Sequence, residues 1–170
     1  MSAALLGGLR LIVSDDGALL APPVSLPPDL RSVIFVPRRK IATEDARAVL
    51  PRSISVEDAV YNMGRVGLLV NALASGRLED LAAATRDRLH QPYRQPLFPA
   101  MKVIFRAALD AGGLGVFLSG SGSTILALTR GKEMTVAYEM AEAARQANVE
   151  GEVKVTSPTT RGAHVVGAGE

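Results

Sequence analysis

The stretch GVFLSGSGSTILALT, residues 115–129, decides how the chain is read. Two apolar runs flank SGSGST, six small residues with no helix signal among them, so the reading is strand, loop, strand. Glycine tolerates positive φ and carries no Cβ, which lets such a loop turn its backbone N–H groups inward. Serine hydroxyls add donors, and together they make a nest for an anion. A tight strand-to-strand connection with no ligand accounts for the same residues. The pattern is not Gly-x-x-x-x-Gly-Lys-Ser/Thr and no helix follows at once, which rejects a Walker P-loop. Gly113, Gly115, Gly120 and Gly122 do not follow one strand and open a helix, which rejects the dinucleotide fingerprint.

Working outward, residues 133–148 form an amphipathic helix, and residues 152–156 with 163–166 supply the closing strands. Upstream, a helix over 98–111 ends at Gly112-Gly113. It follows an irregular HQPYRQP segment (90–96), a helix over 78–89 and a longer helix from Ser55 to about Gly76. In that longer helix Ser55 caps, Asp58 sits where a capping-box acid sits, and Val56, Ala59, Val60, Met63, Val66, Gly67 and Val70 recur at helical intervals. Earlier still, residues 10–21 read as a hairpin turning at Asp15-Asp16-Gly17, and residues 32–37 as a buried strand. A short helix then starts at Thr43 as N-cap, with Glu44 and Asp45 at its positive end and Pro51 beyond its stop. Strands bracket a block of helices instead of alternating with them. The expected fold is therefore α+β, a layered sandwich of a mostly antiparallel sheet covered by helices.

The totals bound what this fold does. With 170 residues, 48% of them apolar and 21% charged, the chain suffices for one sizeable core and reads as a single domain over 1–170. Nineteen basic residues oppose seventeen acidic ones, so charge points to no nucleic-acid partner. The cluster Pro37-Arg38-Arg39-Lys40 lacks an aromatic ladder and reads as a solvated loop. The absence of cysteine excludes disulfide and thiolate chemistry and suits a cytoplasmic protein. The apolar residues 1–10 are too few to cross a membrane, so no membrane role is expected. His90 and His164 show no ligand spacing, so no metal site is expected.

The residues around the loop carry a resemblance. GGLGVFLSGSGST, residues 112–124, resembles the third conserved motif of the GHMP small-molecule kinases, and within that superfamily the chain looks like the homoserine kinase family. TEDARAVLP (43–51), the helix bearing Asn62 and Asn71, and HQPYR (90–94) resemble segments of that family in the same order. AALLGGL (3–9) resembles the helix that opens the second half of these enzymes. The Pro-x-x-x-Gly-Leu-Gly-Ser-Ser segment with which family members wrap the ATP phosphates has no counterpart here. The resemblance is thus to the carboxy-terminal, ferredoxin-like portion alone, with the amino-terminal ATP-binding half absent.

The resemblance implies ATP-dependent phosphorylation of L-homoserine to O-phospho-L-homoserine, on the route to threonine. ATP and Mg²⁺ serve the full enzyme, with their ligands mainly in the other half. Arg47 and Arg94 are implied as the clamp for the homoserine carboxylate, which a planar guanidinium fork matches. Thr43 is implied near the substrate hydroxyl or amino group. Ser119, Gly120, Ser121 and Gly122 are implied as the loop that approaches the transferred phosphate, and no catalytic base is identified in this half. Ser123 stands where proline is common in the family's loop.

Structural readings stand beside these roles. Arg47 can pair with Glu44 or Asp45 on an exposed helix, Thr43 can be only an N-cap, and His90 can cap the helix before it. Arg161, ahead of the last expected strand, can reach an anion. The expected partners are L-homoserine and the amino-terminal half, or a separate chain supplying it. A homodimer is a further expectation, since an isolated half exposes an apolar face. The 170-residue chain alone is expected to be inactive. The alternatives are a non-catalytic amino-acid-binding module, or another GHMP-type kinase; a neutral sugar would need no paired carboxylate clamp.

Overall fold

The computed structural model describes residues 2–39 and 41–165. A short helix α1 (Ser2–Leu6) leads into β1 (Leu9–Arg10), which pairs antiparallel with β4 (Pro23–Val24). Between them β2 (Val13–Asp15) and β3 (Ala18–Leu20) form a hairpin closed by Asp16 and Gly17, at φ 43° and 87°. Positive φ at both central residues is what a two-residue type I′ turn demands. The expected hairpin thus exists but is shorter, because Arg10 pairs with Pro23 instead of extending β2.

The central sheet runs β6-β7-β5-β8, with every pairing antiparallel: β5 (Arg31–Pro37), β6 (Gly115–Leu118), β7 (Ile125–Thr129) and β8 (Gly151–Thr156). This is the α+β sandwich expected from the order of elements. Side chains alternate across the sheet with period two. Val33, Phe35, Val116, Leu118, Ile125 and Ala127 face α6 (Met101–Asp110) and α7 (Glu133–Gln146), which bury Ile104, Ala108, Val136 and Met140 against them. Leu126, Leu128 and Phe117 face the other way, onto α3 (Val56–Ser75), through Ala72 and Leu73, and onto the turn Leu78–Asp80 and α4 (Leu81–Ala84).

α3 has the limits its sequence dictates. The Ser55 hydroxyl accepts from Asp58 N–H at 3.0 Å, and Gly76 closes the helix at φ 74°. Elsewhere four expectations are corrected. α2 spans Thr43–Ala48, and its cap position is Ala42, whose extended backbone (φ −63°, ψ 141°) starts the helix one residue earlier than a Thr43 cap would; Thr43 is the first helical residue and exposed. The helix expected over 78–89 stops at Ala84, where the Thr85 hydroxyl donates to Leu81 O at 2.9 Å. The segment expected to be irregular forms α5 (Gln91–Arg94), with Pro92 in its first turn, and a 3₁₀ turn Gln95–Leu97. Residues 161–165 form no strand; Ala163 N–H donates to Leu5 O, so the tail lies along α1 instead of extending the sheet. Val166, the last residue of that expected strand, and Lys40 of the basic cluster lie outside the described residues.

Candidate functional site

β5 and β6 both pair antiparallel with β7, so they run the same way and their carboxy-terminal ends share one end of the sheet. α2, which follows β5, and the Gly-Ser loop, which follows β6, are therefore delivered to the same place by topology alone. The loop continues the β6-β7 ladder by one rung, Ser119 N–H to Thr124 O at 2.8 Å, and then turns, with Gly122 N–H donating to Ser119 O at 3.2 Å. Gly120, at φ 62°, occupies the position where a type II′ turn takes glycine. Among the described residues the N–H groups of Gly120 and Ser121 have no acceptor, and both residues are at least partly open to solvent. The Ser123 hydroxyl donates to Arg39 O at 3.1 Å and is buried, which anchors the far side of the loop.

Arg94 joins these pieces. Its Nε donates to Ala46 O in α2 at 3.1 Å, and its Nη1 donates to Gly120 O at 3.0 Å and meets His90 Nδ1 at 3.2 Å. Ala46 O has no intrahelical donor, because Leu50 N–H turns to Arg47 O. A cation at the carbonyl end of α2 satisfies an oxygen that the helix leaves over. Arginine only donates, so His90 Nδ1 is the acceptor and its ring proton sits on Nε2, 3.7 Å from Asp87 Oδ2. Burial lowers the His90 pKa and the Arg94 charge lowers it further, against the pull of Asp87.

Arg47, one residue beyond the carbonyl that Arg94 holds, is exposed. Among the described residues its guanidinium has no ion pair, so the alternative pairing with Glu44 or Asp45 is not formed. α2, which carries Thr43 and Arg47, therefore meets Arg94 and the loop at one end of the sheet, where Thr43, Arg47 and Gly120 are exposed. An open groove of about 740 Å³ lies beside them, lined by Ala42, Asp45, Phe98 and Ser123, but not by Arg47, Arg94 or Gly120. Arg161 lies apart, on the tail that runs past α1.

Two residues escaped the reading of the sequence. His90 does not cap the helix before it, which ends at Thr85, but stands at the cap position of α5, and the side chain that caps there is Asp87: its carboxylate accepts from the amides of Leu89 at 3.0 Å, His90 at 2.9 Å and Gln91 at 2.5 Å, and from Asn62 Nδ2 at 2.7 Å. Burial opposes its charge, but these donors outweigh burial and hold the carboxyl below its ordinary range. Asn62 Oδ1 in turn accepts from Arg88 N–H at 3.0 Å, which ties α3 to this turn. Gln91 is buried, and its Oε1 accepts from Leu118 N–H at 2.9 Å. The signal was present: an acid a few residues ahead of a proline marks a helix start.

Comparison with known proteins agrees with this architecture. Residues 69–150 match the family described as GHMP kinases C terminal. A homoserine kinase of Moorella thermoacetica is 40% identical over 166 residues, 98% of this chain and 56% of that protein. One from Synechococcus is 45% identical over 145 residues, covering 85% of this chain and 45% of that protein. The crystal structure of homoserine kinase from Cytophaga hutchinsonii superposes with a TM-score of 0.89 at 31% identity, over 95% of this chain and 51% of that one. The chain spans about half the length of the relatives it matches. It belongs to the GHMP kinase superfamily, matching homoserine kinases over the part that carries their carboxy-terminal domain.

Proposed function

We propose that this chain is the amino-acid-recognising portion of a homoserine kinase, transferring the γ-phosphoryl of ATP to the hydroxyl of L-homoserine. The observation that carries the reading is Arg94, which holds α2 and the Gly-Ser loop together, while Arg47, the residue after the Ala46 carbonyl it holds, is exposed and has no ion pair among the described residues. In this reading the Arg47 fork and the remaining Arg94 nitrogen, Nη2, take the substrate carboxylate, and Thr43 stands near its hydroxyl or amino group. The unpaired amides of Gly120 and Ser121 face the migrating phosphoryl. Phosphoryl transfer is accelerated mainly by positioning and by stabilising charge on the phosphoryl oxygens, so this set of donors needs no carboxylate base beside it.

Among the described residues no three His, Asp or Glu side chains are grouped so as to hold a metal ion, and in this reading Mg²⁺ serves the full enzyme together with ATP. In this reading the nucleotide is held mainly by residues outside this chain, which spans about half the length of the relatives it matches. The test uses a full-length homoserine kinase carrying this chain as its carboxy-terminal part. Arg47→Ala and Arg94→Ala should each raise the KM for homoserine by about 10- to 100-fold, the worth of a charge-assisted contact. The KM for ATP should stay within about twofold. Equal rises in both constants would overturn the assignment.

A further inference from the structure

Gln91 and Arg94 lie one turn apart on α5, so they share a face of it. Arg94 grips the tip of the Gly-Ser loop at Gly120 O, and Gln91 grips its base, since Leu118 is the last residue of β6. β6 is an edge strand, so an amide on its outer side has no partner in the sheet, and Gln91 Oε1 supplies the acceptor. The other end of the same side chain donates to Thr85 O at 3.3 Å. A buried amide with both ends bonded fixes one geometry, which an apolar side chain of the same size would not do. The turn that carries both residues is itself fixed by Asp87, whose side chain is 6% exposed and takes three amides of the turn and the Asn62 side chain.

We infer that Asp87 and Gln91 are positioning residues: Asp87 sets the start of α5, and Gln91 passes that register to β6, so that Arg94 and the loop amides are held at one spacing. The inference rests on the proposed homoserine kinase reading for its consequence in catalysis, but not for its geometry. Hydrogen exchange measured on the chain itself tests the geometry, and kinetics of the full-length enzyme test the consequence.

Gln91→Met keeps the volume and removes both hydrogen bonds, whereas Gln91→Glu keeps an acceptor for Leu118 N–H. In Gln91→Met the amide of Leu118 should exchange about tenfold faster, and the loop amides 119–122 should shift with it, while the helices of the core keep their protection. In the full-length enzyme the same variant should lose about 10- to 100-fold in kcat/KM for homoserine, the cost of a small misplacement of positioned groups, with the KM for ATP within about twofold. Gln91→Glu should restore the protection of the Leu118 amide, but, with a carboxylate oxygen set against Thr85 O, it should recover only part of the lost activity. Asp87→Asn, which keeps the size but turns one acceptor oxygen into a donor, should reproduce the Gln91→Met pattern more weakly.

Unchanged exchange at 118–122 in Gln91→Met would overturn the strut. So would fast exchange of the Leu118 amide that Gln91→Glu fails to slow, or a loss of activity that falls equally on both substrates in step with melting temperature. If the parent enzyme does not phosphorylate homoserine, the functional reading fails while the exchange result still decides the strut.

Discussion

On one face of the β6-β7-β5-β8 sheet, α6 and α7 bury Ile104, Ala108, Val136 and Met140 completely. On the other, α3 buries Ala72 and Leu73 but leaves Val56, Val60, Met63 and Val66 more than half exposed. Both layers are built from amphipathic helices, yet α3 uses only the carboxy-terminal part of its length as core. Ahead of that part α3 turns its stripe to solvent and sets Asn62 and Tyr61 toward the protein. Asn62 bonds to Asp87, and the Tyr61 ring lies between the guanidinium groups of Arg65 and Arg88, at 4.3 and 4.1 Å. A stripe at helical spacing establishes a helix; it does not say which body covers it.

The sharpest way to break this comparison is to truncate one side chain in each layer. Ile104→Ala should cost about 2–5 kcal/mol in urea unfolding, through lost burial and the cavity left behind. Met63→Ser should stay within about 0.5 kcal/mol, as surface changes do. Similar costs at the two positions would mean that α3 is covered within the chain itself.

The two arginines repeat the contrast on a smaller scale. Arg94→Ala removes three hydrogen bonds from a half-buried guanidinium and should lower stability by about 1.5–3 kcal/mol. Arg47→Ala should leave unfolding within about 0.5 kcal/mol. If Arg47→Ala is as damaging as Arg94→Ala, Arg47 has a structural partner and is not a free fork.

The smallest effect expected is a slope with pH. His90 has a lowered pKa in the folded chain, so as pH falls below its ordinary value near 6.5 the unfolded state takes up the proton first. Stability should therefore fall as the solution is acidified from about 6.5, and His90→Gln should flatten that slope. Asp87 acts in the same sense at lower pH, below the ordinary carboxylate range. A slope that survives His90→Gln would assign it to other groups.

Much of this was legible because it is local. Ser55, Asp58 and Gly76 set the limits of α3 within a turn of themselves, and the SGSGST loop could only be a connection between two apolar runs. Asp16-Gly17 gave the hairpin turn through its tolerance of positive φ. The misreadings fall where a side chain competes with the backbone over a longer reach. Residues 78–89 have helical composition, but Thr85 bonds back to Leu81 O and Asp87 collects the amides of Leu89, His90 and Gln91, so a new turn begins inside the expected helix. The helical turns over 91–97 were hidden by their two prolines, which occupy first-turn positions instead of breaking a helix. Of the candidate site, the sequence pointed to Arg47, Arg94 and the loop; nothing in it announced that Arg94 holds α2 at Ala46 O and the loop at Gly120 O, since these three residues lie far apart along the chain.

That double grip restricts how the position can change. Two main-chain oxygens, one from a helix end and one from a loop, share a single planar cation with separate nitrogens for each. A lysine carries its three donors on one nitrogen at the end of a flexible stem and lacks the rigid fork that meets each oxygen from its own nitrogen. Exchange of arginine for lysine at residue 94 is therefore not conservative at this junction.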